Sequence, residues 1–287
     1  MAQMKTPGVY IIEKNAFPNS VVEVATAIPA FIGHTQFARD GNKDLTGIPF
    51  RISSMAEFHS FFGFAPTLRF GIRPEDSESE DTTNDINVLF PDGSCQLTLP
   101  KTFYALYYNM LLFYANGGGP CYIVSVGDYE HDFKSIDFTN ALLALKKEQE
   151  PTLVVVPEAV YMEEGDCYKV QTAALMHCGN DMKNRFAILD VFNGYKDENG
   201  AVIKSFRENI GSNFLAYCAS YYPWINTSIV TEKDITFYNI EKDSLEKLEE
   251  LILNEFSKKS GVTNEAVNEL MDKFKPVSYT HLTLPTT

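Results

Sequence analysis

Three acidic residues stand where an α/β protein would hold a ligand. Asp128, Glu158 and Asp190 lie at or just past the ends of three apolar runs that are predicted to be parallel strands. Open parallel sheets bind ligands outside the carboxyl ends of their strands, so these carboxylates could line one cleft and serve acid–base chemistry. Acidic residues at such positions also cap helices and form turns, and we favour that role.

No other motif supports catalysis. The sequence contains no Gly-x-Ser-x-Gly elbow, no GxGxxG after a strand, and no histidine placed with a serine or cysteine nucleophile. The glycine run 117–119 follows a predicted helix and precedes a strand, which reverses the order of a phosphate loop, so it is predicted to end the helix in a tight turn. We therefore expect no enzyme activity and no bound cofactor.

The residues that could bind a metal are scattered. The acidic run from Pro74 to Asn84 is predicted to be a solvated surface loop, and its spacing does not match an EF-hand. His177 and Cys178 are neighbours that point to different helix faces, so no ligand set closes and no metal site is expected. The chain has an odd number of cysteines without a CxxC pair, and we expect buried free thiols at Cys95, Cys121, Cys167, Cys178 and Cys218.

Strands and helices alternate through the middle of the chain. The strands are continuous apolar runs, as in parallel sheets that are covered on both faces, and they alternate with helical patterns. This predicts an α/β fold with a parallel or mixed sheet flanked by helices. The predicted elements are helix 102–114, strand 121–126, helix 137–149, strand 152–156, helix 166–179, strand 186–191 and helix 203–220.

The first part of the chain has strand and helix-start signals. Residues 8–13 are predicted to form a strand on an extended N-terminal β arm, which would pair either within its own domain or with another subunit. Pro29–Gly33 is predicted to be a buried strand. Ser54 and Glu57 have the spacing of a capping box that opens a helix ending near Phe62. The aromatic group 221–224 is predicted to anchor the chain where the last helix ends.

Charge and hydropathy exclude several classes of partner. The 287 residues include 38 acidic and 24 basic side chains, a formal charge of -14, which opposes binding to nucleic acid or to anionic lipid. No run of about 18 apolar residues and no apolar N-terminal stretch is present, so we expect no direct membrane insertion and no Sec signal. The expected location of the newly made chain is the cytoplasm.

Five separated blocks of the sequence carry a resemblance to a known family. The first block consists of Lys5, Thr6, Pro7, Gly8, Val9, Tyr10, Ile11, Ile12 and Glu13. The other four are Thr26–Gly33, Ser54–Phe58 with Phe62–Gly63, Phe113–Gly118 leading to Cys121–Val124, and Ala219–Trp224. In this order, across about residues 5 to 230, the blocks resemble the sheath subunits of contractile phage tails and related contractile injection systems. The first block is similar to the subunit-contact arm of that family.

The resemblance implies a structural subunit that polymerises as stacked hexameric rings around an inner tube and contracts to drive the tube through a target envelope. The implied partners are further copies of the chain, the inner tube protein, and the baseplate and terminator proteins of the particle. The arm would add a strand to a neighbouring subunit. The alternative is a free-standing α/β ligand- or nucleotide-binding protein, or an enzyme that uses the acidic residues at its strand ends.

The resemblance also divides the chain. Residues 1–24 would be the arm, 25–235 the sheath α/β region, and 236–275 a charged helical segment, with a second short helix near 263–274, that leads to a missing C-terminal domain. Residues 276–287 look like translated sequencing-adaptor sequence, so we expect native sequence to stop near Lys275. Without the missing domain we expect a chain that is monomeric or aggregates through unpaired edges.

Overall fold

The computed structural model describes residues 27–74, 88–89, 95–98, 102–196, 200–231, 234–235 and 237–257. The predicted arm at 5–13, the second short helix near 263–274 and the tail at 276–287 lie outside the described residues, as does all but the first residue of the acidic loop. Within the described chain, no helix is both long and apolar enough to cross a membrane.

The described elements comprise eleven strands and six α-helices. In chain order they are β1 Pro29–Gly33, β2 Arg39–Asp40, β3 Lys43–Asp44, β4 Phe50–Ile52, α1 Met55–Phe62, β5 Gly71–Pro74, β6 Val88–Leu89, β7 Cys95–Thr98, α2 Leu106–Ala115, β8 Cys121–Ser125, α3 Ser135–Leu145, β9 Leu153–Val155, α4 Glu164–Met176, β10 Phe186–Asp190, α5 Ala201–Ile210, β11 Cys218–Tyr221 and α6 Lys242–Ser257.

The main sheet has six strands in the order β11-β10-β9-β1-β8-β4. The strands β11, β10, β9, β1 and β8 run parallel, and β4 pairs antiparallel with β8 at one edge. The chain moves from β1 to β8 in one direction and then crosses to β9 on the other side, which is the pattern of a doubly wound sheet. The predicted α/β fold with a mixed sheet flanked by helices is confirmed.

Both faces of the central strands are buried, because successive side chains of a strand point to opposite faces. Ala30 and Ile32 of β1 belong to the core that α3, α4 and α5 cover. Phe31, which lies between them, belongs to a second core with residues of α1 and α2. This explains why β1 and β8 are buried at every position rather than at every second one.

The predicted capping box at the start of α1 is confirmed in part. The Ser54 side chain accepts a hydrogen bond from the Glu57 backbone N–H at 3.2 Å. The Glu57 carboxylate, however, accepts from the backbone N–H of Ser53 at 2.7 Å and from the Ser53 hydroxyl at 2.9 Å. Two side chains, those of Ser54 and Glu57, thus cap the N-terminus of the helix. The Glu57 carboxylate binds the backbone N–H of Ser53, whereas a capping box predicts the N–H of Ser54.

The predicted helix 203–220 is wrong in its second half. The helix α5 ends at Ile210, since Gly211 adopts a left-handed φ of 76° that terminates it. Residues Leu215–Tyr217 form a short 3-10 turn, and the chain then pairs with β10 as the parallel edge strand β11. The aromatic group 221–224 therefore begins at the last residue of the strand β11 and does not follow a helix.

A small second sheet packs against the segment that begins the predicted charged helical region. Strands β5, β7 and β6 form a three-stranded antiparallel sheet. The backbone N–H of Phe70 donates to Asn239 O at 2.7 Å, and the backbone N–H of Ile72 donates to the Ser244 hydroxyl at 2.8 Å. Leu251 of α6 packs against Ile72, so α6 folds back onto β5.

Candidate functional site

The switch point of the sheet lies between the carboxyl ends of β1 and β9, where doubly wound proteins hold ligands. A buried pair of side chains fills it here. His34 directly follows β1, and its Nδ1 lies 2.8 Å from Oε2 of Glu158, which follows β9; the two side chains are 2% and 0% exposed. The place where a ligand would enter is occupied by the protein's own polar groups.

Glu158 holds three elements together. Its Oε2 also accepts the backbone N–H of His34 at 2.9 Å, and its Oε1 accepts the backbone N–H of Leu106 at 3.3 Å. Leu106 is the first residue of α2, so Glu158 satisfies an N–H group that a helix start otherwise leaves without a partner. A carboxylate on one loop thereby joins the end of β1 to the start of α2.

Gly33 makes this close approach possible. A Cβ atom at this position would lie 2.9 Å from Cβ of Leu106 and 3.0 Å from Cδ of Glu158, which is closer than carbon atoms approach without a clash. The last residue of β1 is therefore a glycine because α2 and Glu158 are packed directly against the strand end.

Aromatic rings cover the His34 side of the switch point. The His34 ring lies 5.3 Å from the ring of Tyr104, 5.0 Å from Phe133 and 5.7 Å from Phe138. Tyr129 packs on Tyr104 at 5.0 Å and donates its hydroxyl to the Phe64 carbonyl at 2.9 Å. Burial raises the pKa of Tyr129, as expected for a phenol enclosed among apolar groups.

A second aromatic group covers the neighbouring strand ends. Tyr161 lies 4.9 Å from Phe103 and 6.0 Å from Trp224, and Trp224 lies 5.3 Å from Tyr195. The Trp224 Nε1–H donates to the Val191 carbonyl at 2.9 Å, which confirms the predicted anchor role of this residue. Burial, followed by the charges of Asp190 and Glu158, raises the pKa of Tyr161 to about 12.

The three predicted carboxylates have different environments and do not share one open cleft. Asp128 is 42% exposed and accepts the Glu130 backbone N–H at 2.9 Å and His131 Nδ1 at 2.5 Å. These two bonds, led by that from Glu130, lower the pKa of Asp128, and they match the turn-forming role that we favoured. Glu158 is enclosed, whereas Asp190 is half-buried and burial raises its pKa.

The described cysteines are poor candidates for nucleophiles. Burial raises the pKa of Cys121 to about 11 and the pKa of Cys167 and Cys178 to about 12, so the reactive thiolate is scarce near neutral pH. These three are buried free thiols, as predicted, while Cys218 is free and half-buried. Among the residues that the structure describes, no group of three or more His, Cys, Asp or Glu side chains could hold a metal.

Sequence reasoning missed His34 and a buried arginine cluster away from the strand ends. Arg185 Nη1 donates to the Leu145 carbonyl at 2.9 Å and contacts His177 Nε2 at 2.8 Å, and its Nη2 donates to the Glu148 carbonyl. Burial, and then the positive charge of Arg185, lowers the pKa of His177 to about 4. An arginine directly before an apolar strand was the available signal. The cluster caps the end of α3.

Comparisons with protein families and with curated proteins identified no relative of this chain. No protein-family model matches the chain, and no curated protein matches it with significance.

Proposed function

We propose that this chain is a structural subunit of a contractile tail sheath, which polymerises as stacked hexameric rings around an inner tube and contracts to drive the tube through a target envelope. The observation that carries the proposal is the filled switch point: the His34–Glu158 pair occupies the position where a doubly wound protein binds its ligand. A switch point that is filled by the protein's own side chains suits a structural subunit better than an enzyme.

The sequence blocks that resemble the sheath family support the same proposal. Those in the described chain fall on β1, α1, the end of α2 with β8, and β11 with the residues that follow it. Phe31, Phe58 and Ile123 from these blocks meet in the core beneath α1 and α2. Other residues of the same blocks, among them Ala30 and Val124, belong to the core on the opposite face, so the resemblance includes residues of both cores.

The proposed partners follow from the sheath function. They are further copies of the chain, the inner tube protein, and the baseplate and terminator proteins. The arm formed by residues 5–13 would pair with a neighbouring subunit by strand addition, in which backbone hydrogen bonds supply affinity.

The second candidate is a free-standing α/β ligand-binding protein or enzyme. The observation that favours it is the half-buried carboxyl of Asp190. Burial raises the pKa of this carboxyl, and its negative charge contributes, after burial, to the raised pKa of Tyr161. Raised carboxyl pKa values are common in active sites. Calorimetric titration with nucleotides and with divalent cations tests this candidate, with Asp190→Asn as the matched variant.

The experiment that tests the sheath function starts from the source gene. The DNA is read past the codon for Lys275, the complete reading frame is expressed, and the product is imaged by negative-stain electron microscopy. We expect tubes or stacked rings of six-fold symmetry. A complete product that stays monomeric at high concentration and binds a small ligand that depends on Asp190 would overturn the sheath proposal in favour of the second candidate.

A further inference from the structure

The helix α4 ends in an irregular turn that lies beside the start of β10. Residues His177–Met182 continue α4 in a π-helical conformation, and the first three residues of this turn are buried. The turn stops at Lys183, which adopts a left-handed φ of 59° and donates its backbone N–H to the Cys178 carbonyl at 2.8 Å. Single π-helical turns are rare and are frequent at functional sites. This turn therefore marks a place where the function of the local contacts is worth testing.

A contact between His177 and Arg185 fixes the turn to the rest of the core. Arg185 directly precedes β10, and its Nη1 donates to His177 Nε2 at 2.8 Å. The same guanidinium donates to the carbonyls of Leu145 and Glu148 at the carboxyl end of α3. Both side chains of the contact are only 2% exposed. Arg185 thus joins the turn to α3, and we call this set of contacts the His177–Arg185 latch.

The latch requires a neutral His177 ring. An arginine can only donate hydrogen bonds, so Nε2 of His177 must accept and the ring proton must lie on Nδ1. Within the described part of the chain, neither Nδ1 of His177 nor Nε of Arg185 has a hydrogen-bond partner, although both atoms are buried. A second ring proton, on Nε2, would remove the acceptor and place two positive charges 2.8 Å apart. Protonation of His177 therefore breaks the latch.

The charged groups near the latch include one carboxylate that favours a positive ring. Asp181 lies on the same turn, but its carboxylate is bound to Lys146 Nζ at 2.6 Å. That bond lowers the pKa of Asp181, so this carboxylate stays charged between pH 7 and pH 5. Lys146 opposes a positive His177 ring, as Arg185 does, while the charge of Glu148 acts on Arg185. Burial and then Arg185 outweigh Asp181, and the pKa of His177 is lowered to about 4.

The other side of the turn adds no charge. A short 3-10 turn, Leu215–Tyr217, packs against the π-helical turn, and the strand β11 follows it. Neither of these elements contains an acidic or a basic residue. Their titratable groups are the phenols of Tyr217 and Tyr221 and the thiol of Cys218, which acts on the thiol of Cys178. The response of the latch to acid is therefore set by His177.

We propose that the His177–Arg185 latch is an acid-sensitive switch: when His177 takes up a proton, residues 177–183 separate from Arg185 and expose the Cys178 thiol while the sheet stays folded. The inference goes beyond the proposed sheath function and does not depend on it. A ring that is released from the latch titrates near the ordinary histidine value of about 6.5. Because the open form binds the proton more tightly than the closed form, its population rises as the pH falls from about 6.5 to 4.

The test measures the accessibility of the Cys178 thiol at pH 7 and at pH 5. The full chain is treated with N-ethylmaleimide, and peptide mass spectrometry follows Cys178 separately from the other thiols. Each rate is divided by the rate of the same cysteine in the urea-unfolded chain at the same pH, which cancels the lower reactivity of thiols in acid. We expect this ratio to rise by about twentyfold from pH 7 to pH 5, because it is proportional to the population of the open form. An unchanged ratio overturns the proposal.

Cys167 is the matched internal control. It is a buried free thiol on α4 that belongs to the same core as Cys178 and lies outside the latch. Its ratio should be the same at the two pH values. A parallel rise at Cys167 and Cys178 overturns the proposal, because the whole molecule would then be unfolding. This comparison needs no substitution, so it decides the proposal even where a variant fails to fold.

His177→Gln tests which group responds to acid. Glutamine offers an acceptor to Arg185 and does not titrate, so in this variant the Cys178 ratio should be the same at pH 7 and at pH 5. A rise at Cys178 that persists in His177→Gln overturns the proposal, since another group would then open the turn.

Discussion

Glu158 shows how a charged residue can be placed at the centre of a fold. A fully enclosed carboxylate is costly unless donors replace the water that it loses. Here the backbone and ring of His34 and the backbone of Leu106 supply those donors. The same three bonds connect two strand ends to a helix start, so a single side chain determines how these elements meet.

Replacement of Glu158 by alanine should therefore be strongly destabilising. Glu158→Ala leaves the buried His34 ring and the Leu106 N–H without their acceptor, and we expect a loss of about 3–5 kcal/mol in the free energy of unfolding. Urea denaturation followed by circular dichroism measures it. The control is Glu208→Ala, since Glu208 is 66% exposed and lies 3.9 Å from Lys204, and it should change stability by less than about 0.5 kcal/mol. Similar effects of the two substitutions would contradict this account.

His177 should make the stability of the protein fall in mild acid. Its pKa of about 4 in the folded state is below the ordinary histidine value, because burial and then Arg185 disfavour the charged ring. The unfolded chain takes up a proton near pH 6.5 while the folded protein does not, so stability is lost as the pH falls from about 6.5 to 4. Between pH 7 and pH 5 the loss from this residue should be about 2 kcal/mol.

His177→Gln isolates that contribution. Glutamine offers a side-chain oxygen to Arg185 but does not titrate, so the variant should lose less stability than the parent chain over the same pH interval. Urea denaturation at pH 7 and at pH 5 measures both proteins, and the titration of the carboxylates cancels in the comparison. Equal pH dependence of the two proteins would mean that His177 is not the group responsible.

Among the secondary-structure elements, the sequence pattern predicted the strands that are apolar runs in their own right. It missed the strand that forms only because it pairs with a neighbouring strand. The strands β1, β8, β9 and β10 are continuous apolar runs and were predicted close to their observed bounds. The strand β11 was missed, because its sequence CASY has no strand preference of its own and gains its backbone bonds from β10. The turn at Gly211 was the signal that the helix stops.

The candidate site was predictable only in its general position. The acidic residues do lie at the carboxyl ends of the strands, as the apolar runs implied. His34 and Glu158, however, are 124 residues apart in sequence, and only the strand order that sets β1 beside β9 brings them together. A single sequence without strand order gives no reason to pair these two residues.

The contact between β1 and α2 can be tested at Gly33. Gly33→Ala introduces a Cβ atom 2.9 Å from Leu106 Cβ, so the helix or the strand must move, and we expect a loss of about 2 kcal/mol. Gly165→Ala, in the first turn of α4, is the matched control because no atom lies within 4 Å of the added group. It should raise stability by about 0.5–1 kcal/mol through its better helix propensity. Thermal or urea unfolding compares the two, and a neutral Gly33→Ala would show that the contact can relax.

At the scale of the whole molecule, the described chain is built around one sheet with a core on each side. The first core lies beneath α3, α4 and α5, and the second lies beneath α1 and α2. A smaller cluster joins α6 to β5. The full chain carries a formal charge of -14, so every copy repels the next unless salt screens the charge.

Assembly of the proposed sheath should therefore become easier as salt is added. The Debye length falls from about 10 Å at 0.1 M to about 3 Å at 1 M ionic strength, which weakens repulsion between acidic subunits while apolar contacts and strand pairing remain. For the complete gene product, light scattering should show an onset concentration of assembly that falls between 0.1 and 1 M sodium chloride. A rise in that concentration would contradict the prediction, because it would mean that attraction between oppositely charged patches, and not burial or strand addition, holds neighbouring subunits together.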